Sequence, residues 1–89
     1  MNNRLLFQGR GWDDYLYWQV QDKKTLKRIN LLIQDIDRNG HIGIGKPEAL
    51  SGNLAGFWSR RIDASNRLVY RIIEDRVEII QCKGHYDDK

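Results

Sequence analysis

Leu5, Leu6 and Phe7 form a short apolar run closed by Gly9 and Gly11, the pattern of a brief strand rather than a helix. After Gly11 the apolar spacing changes to three and four. Trp12, Tyr15, Leu16, Gln19 and Val20 predict a first helix over roughly 11–21, with Asp13 and Asp14 early, where carboxylates favour the positive end of a helix dipole. Asp22 is a candidate N-cap for a second helix over roughly 23–39, in which Leu26, Ile29, Ile33 and Ile36 repeat at the same steps, flanked by Lys23, Lys24, Lys27 and Arg28. Asn39 and Gly40 end it.

Residues 40–56 hold five of the eight glycines and the only proline, and predict an irregular connection. Leu50 and Leu54 argue that it is pinned to the body, so an ordered, functional loop is expected. Beyond it, residues 57–62, 67–73 and 77–82 read as three strands in two hairpins, with turns at 63–66 and near 74–76. The order strand, helix, helix, loop, meander gives an α+β fold: two N-terminal helices on one face of a mainly antiparallel sheet, the first strand added at an edge.

At 89 residues the chain has room for one domain, 1–89, with 87–89 a candidate flexible tail. Hydrophobic residues at 40% and charged ones at 30% exclude a disordered chain. Fifteen Lys and Arg against 12 Asp and Glu leave a net charge of +3, which permits an anionic partner without demanding one. Cys82 is the only cysteine, so there is no intrachain disulfide and a reducing cytoplasm fits. The apolar run near the N-terminus is too short for a signal peptide and no membrane span is expected.

Alternation along 67–73 sends Leu68, Tyr70 and Ile72 to one face and Arg67, Val69 and Arg71 to the other. With Arg60 and Arg61 on the preceding strand and Lys46 before it, five basic residues between 46 and 73 stand against Glu48 and Asp63. A concave cationic sheet face is one reading. A solvated outer face with cross-strand charge pairs is the other.

His41 and His85 are far apart and have no cysteine beside them, which speaks against a metal site, and no cofactor is implied. Gly43-Ile44-Gly45-Lys46 lacks the rest of a phosphate-binding loop, and Ser51, Ser59 and Ser65 lack a nucleophile elbow. What remains is acid-base chemistry from Glu48, Arg67, His85 and Tyr86. RNA carries its own nucleophile, the 2′-OH. A metal-free enzyme then needs a proton acceptor, a cation for the crowded phosphorane and an acid for the 5′ oxygen. Singly, each has an ordinary alternative: a solvated loop carboxylate, a surface arginine, a frayed end.

Trp12-Asp13-Asp14-Tyr15-Leu16-Tyr17-Trp18-Gln19, Gly45-Lys46-Pro47-Glu48-Ala49-Leu50, Asn53-Leu54-Ala55-Gly56-Phe57-Trp58-Ser59-Arg60-Arg61-Ile62, Arg67-Leu68-Val69-Tyr70 and His85-Tyr86 together resemble the YoeB toxins. These are the YoeB/Txe branch of the RelE/ParE superfamily. The resemblance runs from about Leu5 to Tyr86, and the block from Gly56 to Ile62 is its most specific part.

The resemblance implies the toxin of a type II toxin-antitoxin pair, a ribosome-dependent endoribonuclease that cuts mRNA in the A site and halts translation. It implies a microbial-ribonuclease-like fold, Glu48 as general base, Arg67 as phosphate and transition-state stabiliser, His85 as general acid and Tyr86 as a positioning partner. Lys46 and Arg61 would hold backbone phosphates, and the products would be a 2′,3′-cyclic phosphate and a 5′-OH. Implied partners are the ribosome with its mRNA, a YefM-like antitoxin with a flexible acidic C-terminal segment, and a second copy in a homodimer. Two departures stand out: Ser51 follows Leu50 where relatives often carry Lys, and the chain continues past Tyr86. A gyrase-inhibiting toxin of the same fold, or a non-catalytic nucleic-acid-binding module, are the alternatives; neither needs Glu48 with His85. Trp12, Tyr15 and Trp18 read as packing aromatics, Cys82 as a buried small hydrophobe, His41 as exposed loop, and the basic start of the second helix as a solvated face or an RNA contact.

Overall fold

Asp22 sets the break between two consecutive helices, α1 (Gly11–Gln21) and α2 (Lys23–Asn39). The computed structural model describes residues 4–86, so the expected tail at 87–89 lies outside the described residues. Asp22 is extended, with φ −158°, and its carboxylate accepts from the N–H groups of Lys24 and Thr25 at 3.1 and 3.2 Å and from Thr25 Oγ1 at 2.8 Å. These bonds satisfy donors that the first turn leaves open, and the Thr25 hydroxyl above all holds the Asp22 carboxyl below its ordinary pKa. At the far end Gly40 adopts φ +69°, and its N–H closes on the Ile36 carbonyl at 2.8 Å. Both helices span the expected residues.

Strands β1 (Arg4–Phe7), β2 (Glu48–Ala49), β3 (Trp58–Arg61), β4 (Arg67–Ile73) and β5 (Arg76–Gln81) form one sheet in the order β1-β5-β4-β3-β2. β1 runs parallel to β5 and the other pairs are antiparallel. A parallel first strand needs a crossover to reach its partner's side, and α1 and α2 supply it, which puts both helices on one face. This is the expected α+β fold with its first strand at an edge. The 40–56 connection is more regular than its composition predicts. It contains β2, fixed by the Leu50 N–H to the Phe57 carbonyl at 2.9 Å, and a 3₁₀ turn at Gly52–Leu54. A two-residue strand is too short for alternation to show in a sequence.

The core joins Ile29, Leu32, Ile33 and Ile36 of α2 to Leu68, Tyr70, Val77 and Ile79 of the sheet, with Ile62 and Cys82. Leu32 completes the stripe, while Leu26 is half-buried at its end. Burial pushes the Cys82 thiol up to about 12, consistent with a small hydrophobe.

The face that α1 buries differs from the one its apolar spacing predicts. Val20 is 80% exposed, Leu16 and Trp12 are exposed too, and the buried positions are Gly11 and Asp14. Polar bonds to the chain just past β5 fix this orientation. Asp14 Oδ2 accepts from the Cys82 N–H at 3.1 Å, and Trp18 Nε1 donates to the Cys82 carbonyl at 2.8 Å. Gly11 lies so close to the sheet that a Cβ would meet the Ile79 carbonyl oxygen at 2.4 Å. Asp14 thus spends its charge on Cys82 and on Arg10, whose Nε lies 3.0 Å away, beyond any service to the helix dipole.

Arg60 is the largest departure from the expected layout. Its register partner is Leu68, so it belongs to the core face rather than the basic one, and it is fully buried. The five N–H groups of its guanidinium meet five acceptors. Nε donates to Tyr70 Oη at 3.3 Å, Nη1 to Asp35 Oδ2 and to the Ile44 carbonyl at 3.0 Å, and Nη2 to the carbonyls of Gly40 and Ile42 at 2.7 and 3.4 Å. The 40–45 loop is therefore wrapped on a cation. His41 is drawn in with it, stacked on Trp58 with centroids 4.1 Å apart, rather than left as exposed loop. Burial first, then the Arg60 charge, pushes its imidazole below its ordinary pKa.

Arg60→Met should cost ~3 kcal/mol, the lower end for breaking a buried pair, since the Asp35 side chain keeps 17% exposure; urea denaturation measures it. Acid should act on the same contact. Burial pushes Asp35 up, but hydrogen bonds from Arg60, Asn39 and the Ile44 N–H outweigh it and leave the carboxyl below its ordinary value. A depressed carboxyl gives stability that is present above its unfolded pKa and lost as pH falls through the folded one. The urea midpoint should accordingly hold from about pH 7 to 5 and drop below about pH 4, with a shallower drop in Asp35→Asn.

Candidate active site

Register brings three of the expected residues, Glu48, Arg61 and Arg67, to one side of the sheet. Glu48 pairs with Ser59, Ser59 with Val69, and Arg61 with Arg67, so all five share the face opposite the helices. Arg67 donates from Nε to Ser59 Oγ at 2.9 Å, and its Nη2 lies 3.5 Å from Glu48 Oε1. Tyr86 Oη donates to the same Glu48 oxygen at 3.1 Å, with the Arg67 guanidinium 6.0 Å from the Tyr86 ring centroid. One carboxylate oxygen thus gathers a guanidinium and a phenol. Glu48 keeps 59% of its side chain exposed, so its long bond to Arg67 is a weak, water-screened pair that an incoming anion can displace.

Arg61 stands directly across from Arg67, two like charges that repel unless an anion lies near both. Its N–H donates to the Gly45 carbonyl at 2.7 Å, and its own carbonyl accepts from Arg28 Nη2 at 3.3 Å. Lys46 follows Gly45 with φ +51° and is exposed, which sets it beside the Arg61 backbone and two residues from Glu48. The cationic face is smaller than five residues. Arg60 lies in the core, and Arg71 donates from Nε to Glu78 Oε1 at 2.7 Å while stacking over Phe57 at 5.1 Å. Glu78 is buried, and the Arg71 bond above all holds its carboxyl below the ordinary range. Lys46, Arg61 and Arg67 remain as the cations around Glu48.

His85 and Tyr86 lie on a short segment after β5, and His85 is exposed. Gly84, with φ +77°, turns this segment toward β4. The Gly84 N–H donates to Asn66 Oδ1 at 2.8 Å and its carbonyl accepts from the Arg67 N–H at 3.1 Å. Asn66 is held in turn by Asp63, whose Oδ1 accepts from the N–H groups of Ser65 and Asn66 at 2.8 Å each. The backbone of Arg67 and the segment carrying His85 are therefore joined directly. Ser59 and Asn66 are the residues that sequence reasoning overlooked. Ser59 was legible in principle, since alternation puts it on the face of Arg61, one position from Arg67.

Among the described residues no group of three or more His, Cys, Asp or Glu is placed to hold a metal ion, and no helix is long and apolar enough to cross a membrane. What the cluster offers is a carboxylate able to accept a proton, two opposed guanidiniums and an amine able to hold an anion, and a phenol on the carboxylate. The exposed His85 lies one residue before that phenol, its imidazole not joined to the cluster by a contact among the described residues.

Several known proteins are similar to this chain over nearly its whole length. The toxins YoeB of Streptomyces coelicolor and of Escherichia coli K12 are each 51% identical over 83 residues, covering 93% of this chain and 99% of theirs. A YoeB/ParE toxin from Agrobacterium tumefaciens superposes with a TM-score of 0.91 at 46% identity, over 93% of this chain and 99% of that one. A YoeB dimer from Staphylococcus aureus gives 0.90 at 46% identity, over 97% and 100%. Escherichia coli YafQ, at 13% identity and a TM-score of 0.77, shares the fold alone. Residues 7–86 match the family described as YoeB-like toxin of bacterial type II toxin-antitoxin system, and with these likenesses the chain belongs to the YoeB toxins.

Proposed function

We propose that this toxin is a ribosome-dependent endoribonuclease, a single domain over 1–89 that acts in the cytoplasm on mRNA in the ribosomal A site. The observation that carries the reading is the meeting of Arg67 and Tyr86 on one oxygen of Glu48, with Arg61 directly opposite Arg67. A scissile phosphate drawn between the two guanidiniums takes over the contact that Arg67 now makes with Glu48. The released carboxylate accepts the proton of the 2′-OH as that oxygen attacks phosphorus. Arg67, with Arg61 and Lys46, balances the charge that builds on the phosphorane. His85 delivers a proton to the departing 5′ oxygen, and Tyr86 keeps Glu48 aligned. The bond from the 2′ oxygen to phosphorus forms and that to the 5′ oxygen breaks, giving a 2′,3′-cyclic phosphate and a 5′-OH.

The partners follow the same reasoning. In solved structures the Staphylococcus aureus YoeB forms a dimer and a heterotetrameric complex with YefM. For this chain we infer a homodimer and a YefM-like antitoxin whose acidic, flexible C-terminal segment folds over Lys46, Arg61 and Arg67. Opposite charge on that face is the simplest way to silence it.

Single-turnover cleavage of mRNA on programmed ribosomes, at saturating toxin, tests the roles. His85→Ala should lose ~10²- to 10⁴-fold in rate with ribosome binding kept. Arg67→Ala should weaken both cleavage and phosphate affinity, while Glu48→Ala should slow chemistry with little loss of binding. Wild-type rates for His85→Ala would remove the acid assignment. Addition of the cognate antitoxin should abolish cleavage, and a tight complex that still cuts at full rate would exclude silencing by occlusion.

A further inference from the structure

Gln81 stands where simple alternation would not put it. Tyr70 pairs with Ile79, so regular antiparallel register would pair Val69 with Ile80 and turn Gln81 toward the helices. Val69 pairs with Gln81 instead, which makes Ile80 the extra residue of a β-bulge. The slip puts the Gln81 side chain on the face of Val69 and Arg67, and sends Cys82 into the core.

On that face Gln81 is 9% exposed, and its Nε2 reaches three successive carbonyls: Lys83 at 3.2 Å, Gly84 at 3.4 Å and His85 at 2.7 Å. Carbonyls only accept, so this end of the side chain is the amide nitrogen, its two N–H groups shared among three acceptors. Three consecutive carbonyls converge on one point only when the chain curls around it, and Gly84 at φ +77° permits the curl. The Gly84 carbonyl is shared with the Arg67 N–H at 3.1 Å, so the curl is fastened to the residue that would hold the phosphate.

We propose that Gln81 is a positioning residue for the acid end of the site. Its amide fixes the curl of residues 83–86, and through it the approach of the His85 imidazole to a phosphodiester held by Arg67. The inference rests on His85 acting as general acid. Gln81 touches no substrate. Without its N–H groups the segment beyond Gly84 keeps, among the described residues, the Tyr86 contacts with Glu48 and Arg67, both on the side chain of Tyr86, and the backbone that carries the imidazole loses its fixed origin. A displacement of about 1 Å at a reacting group costs on the order of 10²-fold in rate.

Gln81→Met, close in shape and lacking the donors, tests this in the full chain, with Gln81→Asn as a second variant that keeps a polar end but falls short of the carbonyls. Circular dichroism first establishes that each folds. Two readouts follow. Single-turnover cleavage on mRNA-programmed ribosomes should fall about 10²-fold with the half-saturating ribosome concentration unchanged. Placed in His85→Ala, the same change should add little further loss, because it acts through the imidazole. Backbone ¹⁵N relaxation should show order parameters at residues 85 and 86 dropping from about 0.85 toward 0.6 or below, with β4 and β5 unchanged. Wild-type cleavage, a full and independent loss in the His85→Ala background, or unchanged order at 85 and 86 would each overturn the proposal. A wild-type protein that cleaves nothing would overturn the nuclease reading alone, and the relaxation data would still decide whether Gln81 fastens the segment.

Discussion

A single buried guanidinium organises the half of this molecule that carries the site. Arg60 enters the core from β3 with no exposed surface, and such a charge is tolerable there only with every donor satisfied. Its acceptors come from α2, from β4 and from three carbonyls of the 40–45 loop. A loop rich in glycine, free to wander by composition, is therefore held to one path. Gly43 belongs to that path, with φ +146° and a Cβ position only 1.8 Å from Asp35 Oδ2, so any side chain there would collide with the carboxylate that pairs with Arg60. The path ends at Gly45, whose carbonyl binds the Arg61 N–H, and this sets the register in which Lys46 and Glu48 meet the sheet.

Two adjacent arginines on one short strand thus have opposite fates. Arg60 holds the loop from the core side, and Arg61, turned to the other face by the strand's own period, stands across from Arg67. The sheet works as a partition. One side is dry, with its buried Arg60 fully paired, and the other exposes cations over a layer that is itself tightly packed, since Ser59 and Val69 are fully buried and Glu78 nearly so. Arg67 is steadied by Ser59 at Nε while its Nη2 lies 3.5 Å from the exposed Glu48 carboxylate, so one edge of the guanidinium is fixed to the sheet and another meets a water-screened charge.

The fold was largely legible because its signals are repetitive: four apolar positions at helical spacing in α2, a capping Asp22, and alternation in β4. What escaped the pattern escaped for physical reasons. α1 packs through Asp14, Gly11 and Trp18, so its apolar count points to a face that solvent covers. β2 is two residues long, and the bulge at Ile80 reverses alternation without any change in composition. Arg60 and Arg61 look alike in a sequence, and only strand phase separates a structural cation from a surface one. At the candidate site, Glu48, Arg67, His85 and Tyr86 are weak signals individually and stand out only through their motif context, whereas Ser59, Asn66 and Gln81 are ordinary polar residues that only their contacts single out.

The pairing of β1 with β5 has a consequence in time. Arg4 aligns with Arg76 and Phe7 with Ile79, so the first strand of the sheet waits for the last before its ladder can close. A chain emerging N-terminus first carries α1 and α2 long before it has β5 to receive them, and the non-local closure is the slow kind of contact to form. Residues 83–86 come later still, yet Cys82 and Gly84 are what α1 and β4 bond to. In order of synthesis, the cluster around Glu48 and Arg67 therefore assembles only after the chain past β5 has emerged, and a chain not yet made that far holds its charged residues without the geometry that joins them.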